Sequence, residues 1–264
     1  MPSTRRKQGQ RRRSAQPMME TDWWCEERIA WAEGYRCIAG LDEAGRGALV
    51  GPVVAACVVL PYECAIPGIG DSKFLQPAQR ERLYDRIWRL ARGVGIGIVE
   101  AEVIDEINIL RASHEAMRLA FENLPLGLWP DVALIDGLPV IPFPITQVAL
   151  IDGDARSISI AAASIIAKVT RDRLMEQYDS IYPGYGFALH KGYAVPSHLR
   201  ALEALGPCPI HRRSFAPVGQ AQAGAAEEPG PPQSAPIADP ATPQDKPQHA
   251  RRTRKTAKSE PSTQ

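Results

Sequence analysis

An apolar run, Arg36-Cys37-Ile38-Ala39-Gly40-Leu41, ends in two adjacent carboxylates, Asp42 and Glu43. It then passes through Ala44-Gly45-Arg46-Gly47 into a second apolar, β-branched run at Pro52–Leu60. No other stretch limits the fold as tightly. Both runs read as buried strands joined through a glycine-rich turn, which makes them antiparallel neighbours. A dinucleotide-binding turn is excluded, because its glycines must open a helix rather than a second strand. Two acids side by side at a strand end raise each other's pKa unless something neutralises them. A divalent cation does so, and carboxylate oxygens suit Mg²⁺ or Mn²⁺. The glycines around Arg46 let the backbone approach a ligand closely. The stretch therefore reads as a metal site beside a phosphate or sugar contact. An exposed turn with two solvated acids is the plain alternative.

The rest of the chain supplies elements around this corner. Trp23, Trp24, Ile29 and Trp31 predict a short amphipathic helix. Pro77 fits the first turn of a helix that puts Leu83, Ile87 and Leu90 on one face. Gly93–Glu100 alternates Gly with Val or Ile and reads as a strand. Glu102–Ile107 and Leu110–Leu124 read as helices, Val132–Asp136 and Ile145–Ile151 as buried strands. Ile158–Tyr178 is a long helix whose Ala161, Ala162, Ala163 and Ala167 allow close packing on a sheet. Ser197 is placed to cap a last helix through Leu205. Strands come first and helices follow, so the class is α/β with a mixed sheet.

One domain spanning residues 21–218 is expected. Residues 1–20 and 219–264 are rich in Arg, Gln, Ser, Pro and Ala and offer little to bury, so they read as disordered tails. Their basic runs, Arg251-Arg252-Thr253-Arg254-Lys255 among them, read first as solvated chain and second as weak attraction to nucleic acid. The 264 residues are 44% hydrophobic, enough for a sizeable core. The formal net charge of +1 hides an asymmetry. Basic residues concentrate in the two ends, and the middle is net acidic. That argues against a module that binds nucleic acid by charge alone. No apolar run approaches the roughly 20 residues of a membrane span. Met1–Arg13 has no apolar segment behind it, unlike a secretory signal. The five cysteines lack a C-x-x-C pair. They suit a reducing cytoplasm with buried thiols.

Asp136 also stands where a buried strand stops, and Asp154 follows a third strand in Ile151-Asp152-Gly153-Asp154. If those strands are neighbours, Asp42, Glu43, Asp136 and Asp154 meet at one sheet edge. Four carboxylates without a histidine ligand suggest two hard metal ions about 4 Å apart, a site for in-line displacement at phosphorus. Each acid has a plainer reading. Asp136-Gly137 is an ordinary strand-end turn, and Asp152-Gly153-Asp154 is a loop or a calcium-type fragment lacking the remaining EF-hand ligands. A phosphatase of the D-x-D type is disfavoured because the first two acids are adjacent.

These residues resemble ribonuclease HII, the bacterial type 2 ribonuclease H, from about Tyr35 to Val218. Ala39-Gly40-Leu41-Asp42-Glu43-Ala44-Gly45-Arg46-Gly47 with Gly51-Pro52-Val53 resembles that family's first signature, and Asp71-Ser72-Lys73 its second. Ile135-Asp136-Gly137 and Gly153-Asp154 fit the third and fourth acid positions. Ala162-Ala163-Ser164-Ile165-Ile166-Ala167-Lys168-Val169-Thr170-Arg171-Asp172, His190-Lys191-Gly192-Tyr193 and His211-Arg212-Arg213-Ser214-Phe215 complete the set in order. The related type 3 enzyme carries an extra N-terminal domain and lacks this Gly-Arg-Gly.

The resemblance implies a ribonuclease H-like fold with a mixed central sheet flanked by helices. It implies Mn²⁺- or Mg²⁺-dependent hydrolysis of RNA in RNA–DNA hybrids. It also implies incision 5′ of ribonucleotides embedded in duplex DNA, leaving 3′-hydroxyl and 5′-phosphate ends. Asp42, Glu43, Asp136 and Asp154 would be catalytic metal ligands. Gly45, Arg46 and Gly47 would contact the nucleotide at the 2′-hydroxyl and scissile phosphate. Tyr193 would stack on the sugar at the RNA-to-DNA junction, and Lys73 would touch a backbone phosphate. Ser164 and Lys168 remain open between helix packing and a role at the site. A cytoplasmic monomer is expected, with RNA–DNA hybrid and ribonucleotide-containing duplex DNA as partners. At Asp152 the chain departs from the family pattern, where a lysine is common. Two rivals remain. A DNA nuclease of the same superfold has no use for Tyr193 and the Gly-Arg-Gly loop, and a non-catalytic hybrid binder has no use for the full acid set.

Overall fold

A computed structural model of the chain describes residues 22–70 and 75–225. Residues 1–20, Lys73, and residues 226–264 of the tail expected from 219 lie outside the described residues, and residues 219–225 of that tail are helical. Contacts gather the described residues into one compact unit.

Five strands form one mixed sheet: β1 Ile38–Ala44, β2 Val53–Val59, β3 Gly93–Val99, β4 Val132–Asp136 and β5 Thr146–Leu150, in the spatial order β3-β2-β1-β4-β5. β1 pairs antiparallel with β2 as the sequence predicts, and parallel with β4. Helices cover both faces, which explains why β2 is an unbroken apolar run buried along its whole length. Leu41, Val53, Ala55, Cys57 and Val59 face α4 (Ile109–Glu122) through Ala112, Ala116, Ala120 and Phe121. Ala56 and Val58 face α5 (Ile158–Ile181) through Ala162, Ala163 and Ile166. Burying one Val or Ile this fully contributes roughly 1.5–3 kcal/mol.

The small residues set how closely the helices approach. A Cβ on Gly97 would meet the Ala116 carbonyl oxygen at 2.0 Å, so the Gly-Val-Gly-Ile alternation of β3 is the seat of α4. A Cβ on Gly40 would meet the Ser159 carbonyl carbon at 2.1 Å. The first turn of α5 therefore lies directly on β1, two residues before Asp42. α1 (Cys25–Ala32) anchors that turn from outside. Glu27 accepts from Ser157 Oγ at 2.6 Å and from Ser159 N at 3.0 Å.

The remaining helices are α2 Pro77–Leu90, α3 Ala101–Ile107, α6 Phe187–His190, α7 Pro196–Leu205 and α8 Ala216–Ala225. Asn108, at φ 69°, separates α3 from α4 and caps the latter by accepting from Leu110 N and Arg111 N.

Two expectations fail. Ile145–Ile151 reads as a buried strand, but β5 is the sheet edge, and only Leu150 along it is fully buried. Ser197 reads as a helix cap, but Val195 takes that position and Pro196 opens α7, which leaves Ser197 exposed inside the first turn.

Candidate active site

Strand register brings the acids together. Leu41 pairs with Ile135 across the parallel β1–β4 ladder, so the next residues, Asp42 and Asp136, end side by side. Asp42 is 6% exposed. Its carboxyl is held well above the usual range by burial first, then by the charges of Glu43 and Asp136, with a Ser164 hydrogen bond opposing. Burial also raises Glu43, against the pull of Arg46, whose Nη1 lies 3.2 Å from Glu43 Oε1. Asp42 Oδ1 accepts from Glu43 N at 2.7 Å, which locks the turn of the adjacent pair.

Asp42, Glu43 and Asp136 line a cleft of about 280 Å³ with Gly45, Arg46 and Gly47 on one side and Lys168 and Tyr193 on another. Asp154 is buried at 3% exposure in the 3₁₀ turn Gly153–Ala155 after β5, and is not among the residues lining the cleft. That turn is tied to the acids because Gly153 N donates to Asp136 Oδ1 at 2.7 Å. Among the described residues, no three His, Cys, Asp or Glu side chains are gathered into a ready metal cage. The donor set nonetheless fits hard divalent cations. It is all carboxylate oxygen, with Asp42 and Asp154 buried and Glu43 and Asp136 half-buried. Burial first and neighbouring carboxylate charge second raise Asp42 and Glu43.

The Gly45–Gly47 side of the cleft is backed by two buried arginines, neither of which lines the cleft itself. Arg171, wholly buried on α5, donates from Nε to Pro52 O at 3.0 Å, from Nη2 to Val50 O at 3.0 Å and from Nη1 to Lys191 O at 2.8 Å. Arg212, also wholly buried, donates to Gly51 O at 2.9 Å and Arg46 O at 3.1 Å. Burial and the nearby Arg171 charge push Arg212 down to about 9. Gly45, at φ 92°, packs so tightly here that a Cβ would fall 1.9 Å from Arg171 Nε. Tyr193 lies beneath the same cations: Arg171 Cζ is 5.5 Å and Lys168 Nζ 5.7 Å from its ring centre. Lys168 also pairs with Asp172 at 2.7 Å.

The structure thus gathers Asp42, Glu43, Asp136, Gly45, Arg46, Gly47 and Tyr193 around one cleft and sets Asp154 just behind it in the chain. Ser164 and Lys168, left open by the sequence, both reach the cleft. The buried Arg171 and Arg212 carry no signal of their own, beyond being cations within the quoted motifs.

The comparisons agree with this architecture. The family model described as Ribonuclease HII matches residues 39–218. Ribonuclease HII of Geobacter sulfurreducens is 56% identical over 73% of this chain and 88% of its own length. That of Enterococcus faecalis is 54% identical over 73% of this chain and 74% of its own. The crystal structure of ribonuclease H2 from Pyrococcus horikoshii OT3 superposes with a TM-score of 0.61 at 28% identity, covering 73% of this chain and all of that one. With the match spanning the sheet, the acids and the arginine wall, the chain belongs to the ribonuclease HII family and is an endoribonuclease, of the kind that cleaves RNA within RNA–DNA hybrids.

Proposed function

We propose that this enzyme hydrolyses the phosphodiester on the 5′ side of ribonucleotides, in RNA–DNA hybrids and singly embedded in duplex DNA, leaving 3′-hydroxyl and 5′-phosphate ends. One observation carries the reading. A buried Asp42, flanked by the like charges of the half-buried Glu43 and Asp136, shares one cleft with the Gly45–Gly47 loop and Tyr193.

Asp42, Glu43, Asp136 and Asp154 would hold a pair of Mn²⁺ or Mg²⁺ ions. Such ions supply Lewis acidity at the scissile phosphate and lower the pKa of water there. The chain's own residues do the rest. Ser164 orients Asp42 through its hydrogen bond. Arg46, half-exposed, stands at the cleft mouth, where it can leave Glu43 for a phosphate oxygen. Gly47 has nothing within 4 Å of where a Cβ would stand, so backbone there can come up to a ribose unobstructed. The 2′-hydroxyl both donates and accepts, and it alone distinguishes the target from its deoxy neighbours. The Tyr193 ring, fixed below Arg171 and Lys168, offers a face to the sugar. No helix of the described residues is long and apolar enough to cross a membrane. That and the free cysteines fit a cytoplasmic enzyme.

The test is to incubate the protein with a duplex carrying one ribonucleotide and Mn²⁺ or Mg²⁺, then map both ends. A single 5′ incision with a 3′-hydroxyl is expected. A 2′,3′-cyclic phosphate would make the ribose hydroxyl the nucleophile and sink this reading. Equal cutting of an all-DNA duplex would also sink it.

A further inference from the structure

The turn that carries Tyr193 is held by three histidines, and backbone partners fix where each ring proton sits. A backbone N–H only donates, and a carbonyl only accepts. Cys208 N donates to His211 Nδ1 at 3.0 Å, so that nitrogen is bare and a neutral His211 carries its proton on Nε2. His211 Nε2 faces His198 Nε2 at 3.3 Å and donates to it. His198 then carries its proton on Nδ1, which donates to the Tyr193 carbonyl at 2.9 Å. His190 obeys the same rule. Its Nδ1 accepts from Gly192 N at 3.2 Å, and its Nε2 donates to Tyr185 O at 2.8 Å. The His190 and His198 rings stack with centres 4.5 Å apart. His198 and His211 are buried at 0% and 1% exposure.

We propose that His198 and His211, braced by His190, are positioning residues that hold Tyr193 for the ribose only in their neutral, tautomer-locked form, so that acid removes ribose discrimination before it removes cleavage. This rests on Tyr193 being the ribose contact. A proton added to His198 goes on Nε2 and faces the His211 Nε2–H across 3.3 Å. One added to His211 goes on Nδ1 and faces the Cys208 N–H across 3.0 Å. Either repulsion pushes the rings apart and shifts the Tyr193 carbonyl that the His198 Nδ1–H holds.

The surroundings favour neutrality from every side. On α6 stands His190. Before α6 comes Tyr185, with its ring centre 5.2 Å from that of His211, and after α7 comes Cys208, whose Sγ lies 3.1 Å from His211 Nδ1 and whose thiol burial keeps protonated. From α5, Arg171 binds the Lys191 carbonyl and Glu176 pairs with Lys191 Nζ at 2.6 Å. Arg212 turns its guanidinium away to Gly51 and Arg46. Among the described residues, none of the hydrogen bonds to the three rings comes from a carboxylate, so no anion holds a second proton on any of them. Burial pushes His211 from 6.5 down to about 4, with the His198 charge adding to the shift. Burial lowers His198 as well, against its bond to the Tyr193 carbonyl. The unfolded chain therefore binds more protons in this window. The stability these rings contribute is complete above 6.5 and drains away as pH falls toward about 4.

The experiment combines two readouts on the full chain. Imidazole ¹⁵N spectra of the metal-free protein at neutral pH should show bare Nδ1 on His211 and bare Nε2 on His198. In parallel, kcat/KM is measured across acid pH on a duplex with one ribonucleotide and on a continuous hybrid. His198→Phe keeps the ring and removes the donor. It should lose about tenfold more on the single ribonucleotide than on the hybrid, the worth of one well-placed hydrogen bond. His198→Asn places an amide N–H where Nδ1 stood and cannot titrate. It should restore the discrimination and flatten the extra acid loss on the single ribonucleotide. Reversed tautomers, a charged ring at neutral pH, equal losses on both substrates, or a wild-type acid limb in His198→Asn would each overturn the proposal. If His198→Phe does not fold, the spectra and the Asn variant decide alone. A Tyr193→Ala enzyme that treats both substrates alike would instead sink the ribose reading, and the tautomer result would stand apart from it.

Discussion

The two walls of the cleft are built on opposite principles. The acid wall is backbone-placed. Asp42 and Asp136 are where they are because β1 and β4 pair in one register, and their charges are left to repel one another. The opposite wall is placed by side chains. Arg171 and Arg212 bury two guanidiniums on five carbonyls from the Arg46–Pro52 and Lys191 segments, and their recorded hydrogen bonds include no carboxylate. Arg46 to Glu43 joins the walls. Neither wall is neutral by itself. The acid wall gathers negative charge at strand ends, and the other buries positive charge on neutral carbonyls.

The sharpest way to break the acid wall is Asp42→Asn or Asp136→Asn. Either should lower kcat/KM on any substrate on the order of 10³-fold, because the remaining acids cannot hold the charge at the reacting phosphate. Asp42→Asn can still accept the Glu43 N–H, so the turn survives. In chelator, its melting temperature should equal or exceed that of the wild type at neutral pH. The sign follows from the raised Asp42 pKa. The folded wild type holds a proton more tightly than the unfolded chain, so its stability falls as pH rises from 3.8 through the folded value. The variant loses that slope. Near-wild-type cleavage in Mg²⁺ would remove Asp42 from the metal set.

The arginine wall breaks at Gly45. In Gly45→Ala the new Cβ would strike Arg171 Nε, at a backbone angle alanine resists, and destabilisation on the order of 3 kcal/mol is expected with activity lost on both substrates. Gly47→Ala is the control within the same loop. It has open space and no positive φ, so its melting temperature should stay put while kcat/KM falls roughly 10- to 100-fold as the methyl blocks the ribose. If both variants melt alike, Gly47 is a structural glycine too, and the loop does not read the sugar.

The two walls also differ in how far the sequence discloses them. Strand ends announce themselves: Ile38–Leu41 and Pro52–Leu60 are apolar throughout because helices cover both faces, and the acids break the first run at its end. Register then does the assembling. The arginines leave no such trace. An Arg on a helix ordinarily reads as surface charge, and nothing local to Arg171 says that its partners are carbonyls at Val50, Pro52 and Lys191. The errors have the same origin. β5 looks buried because its composition is that of a core strand, whereas it stands at one edge without a helix packed closely over it; β3, at the other edge, is covered by α4 and largely buried. Pro196 opens α7 without help from Ser197, because proline's fixed φ suits a first helical turn.

Tyr193 belongs to neither wall and reports on both. Tyr193→Ala should lose about 100-fold on a duplex with one ribonucleotide and about tenfold on a continuous hybrid, where neighbouring ribose contacts make up the difference. The ratio of the two kcat/KM values is the measurement. Equal losses would make Tyr193 a general substrate contact and leave discrimination to the Gly45–Gly47 backbone.

The smallest expected effect concerns Asp152. It is exposed, at φ 53°, beside the turn that carries Asp154. It adds negative charge to the acid wall's outer side without being buried in it. Asp152→Asn is the clean substitution, since asparagine tolerates the left-handed backbone that would strain lysine. One exposed charge roughly 8–10 Å from a phosphate is worth about 0.4–0.5 kcal/mol in water, so KM for the hybrid should fall about twofold at low salt. The gain should vanish at high salt, because the Debye length then shrinks below that separation. A change in KM that persists at high salt, or a change in the Mn²⁺ or Mg²⁺ concentration needed for half-maximal rate, would mean that Asp152 acts at contact distance. It would then count as a member of the acid wall rather than a charge standing outside it.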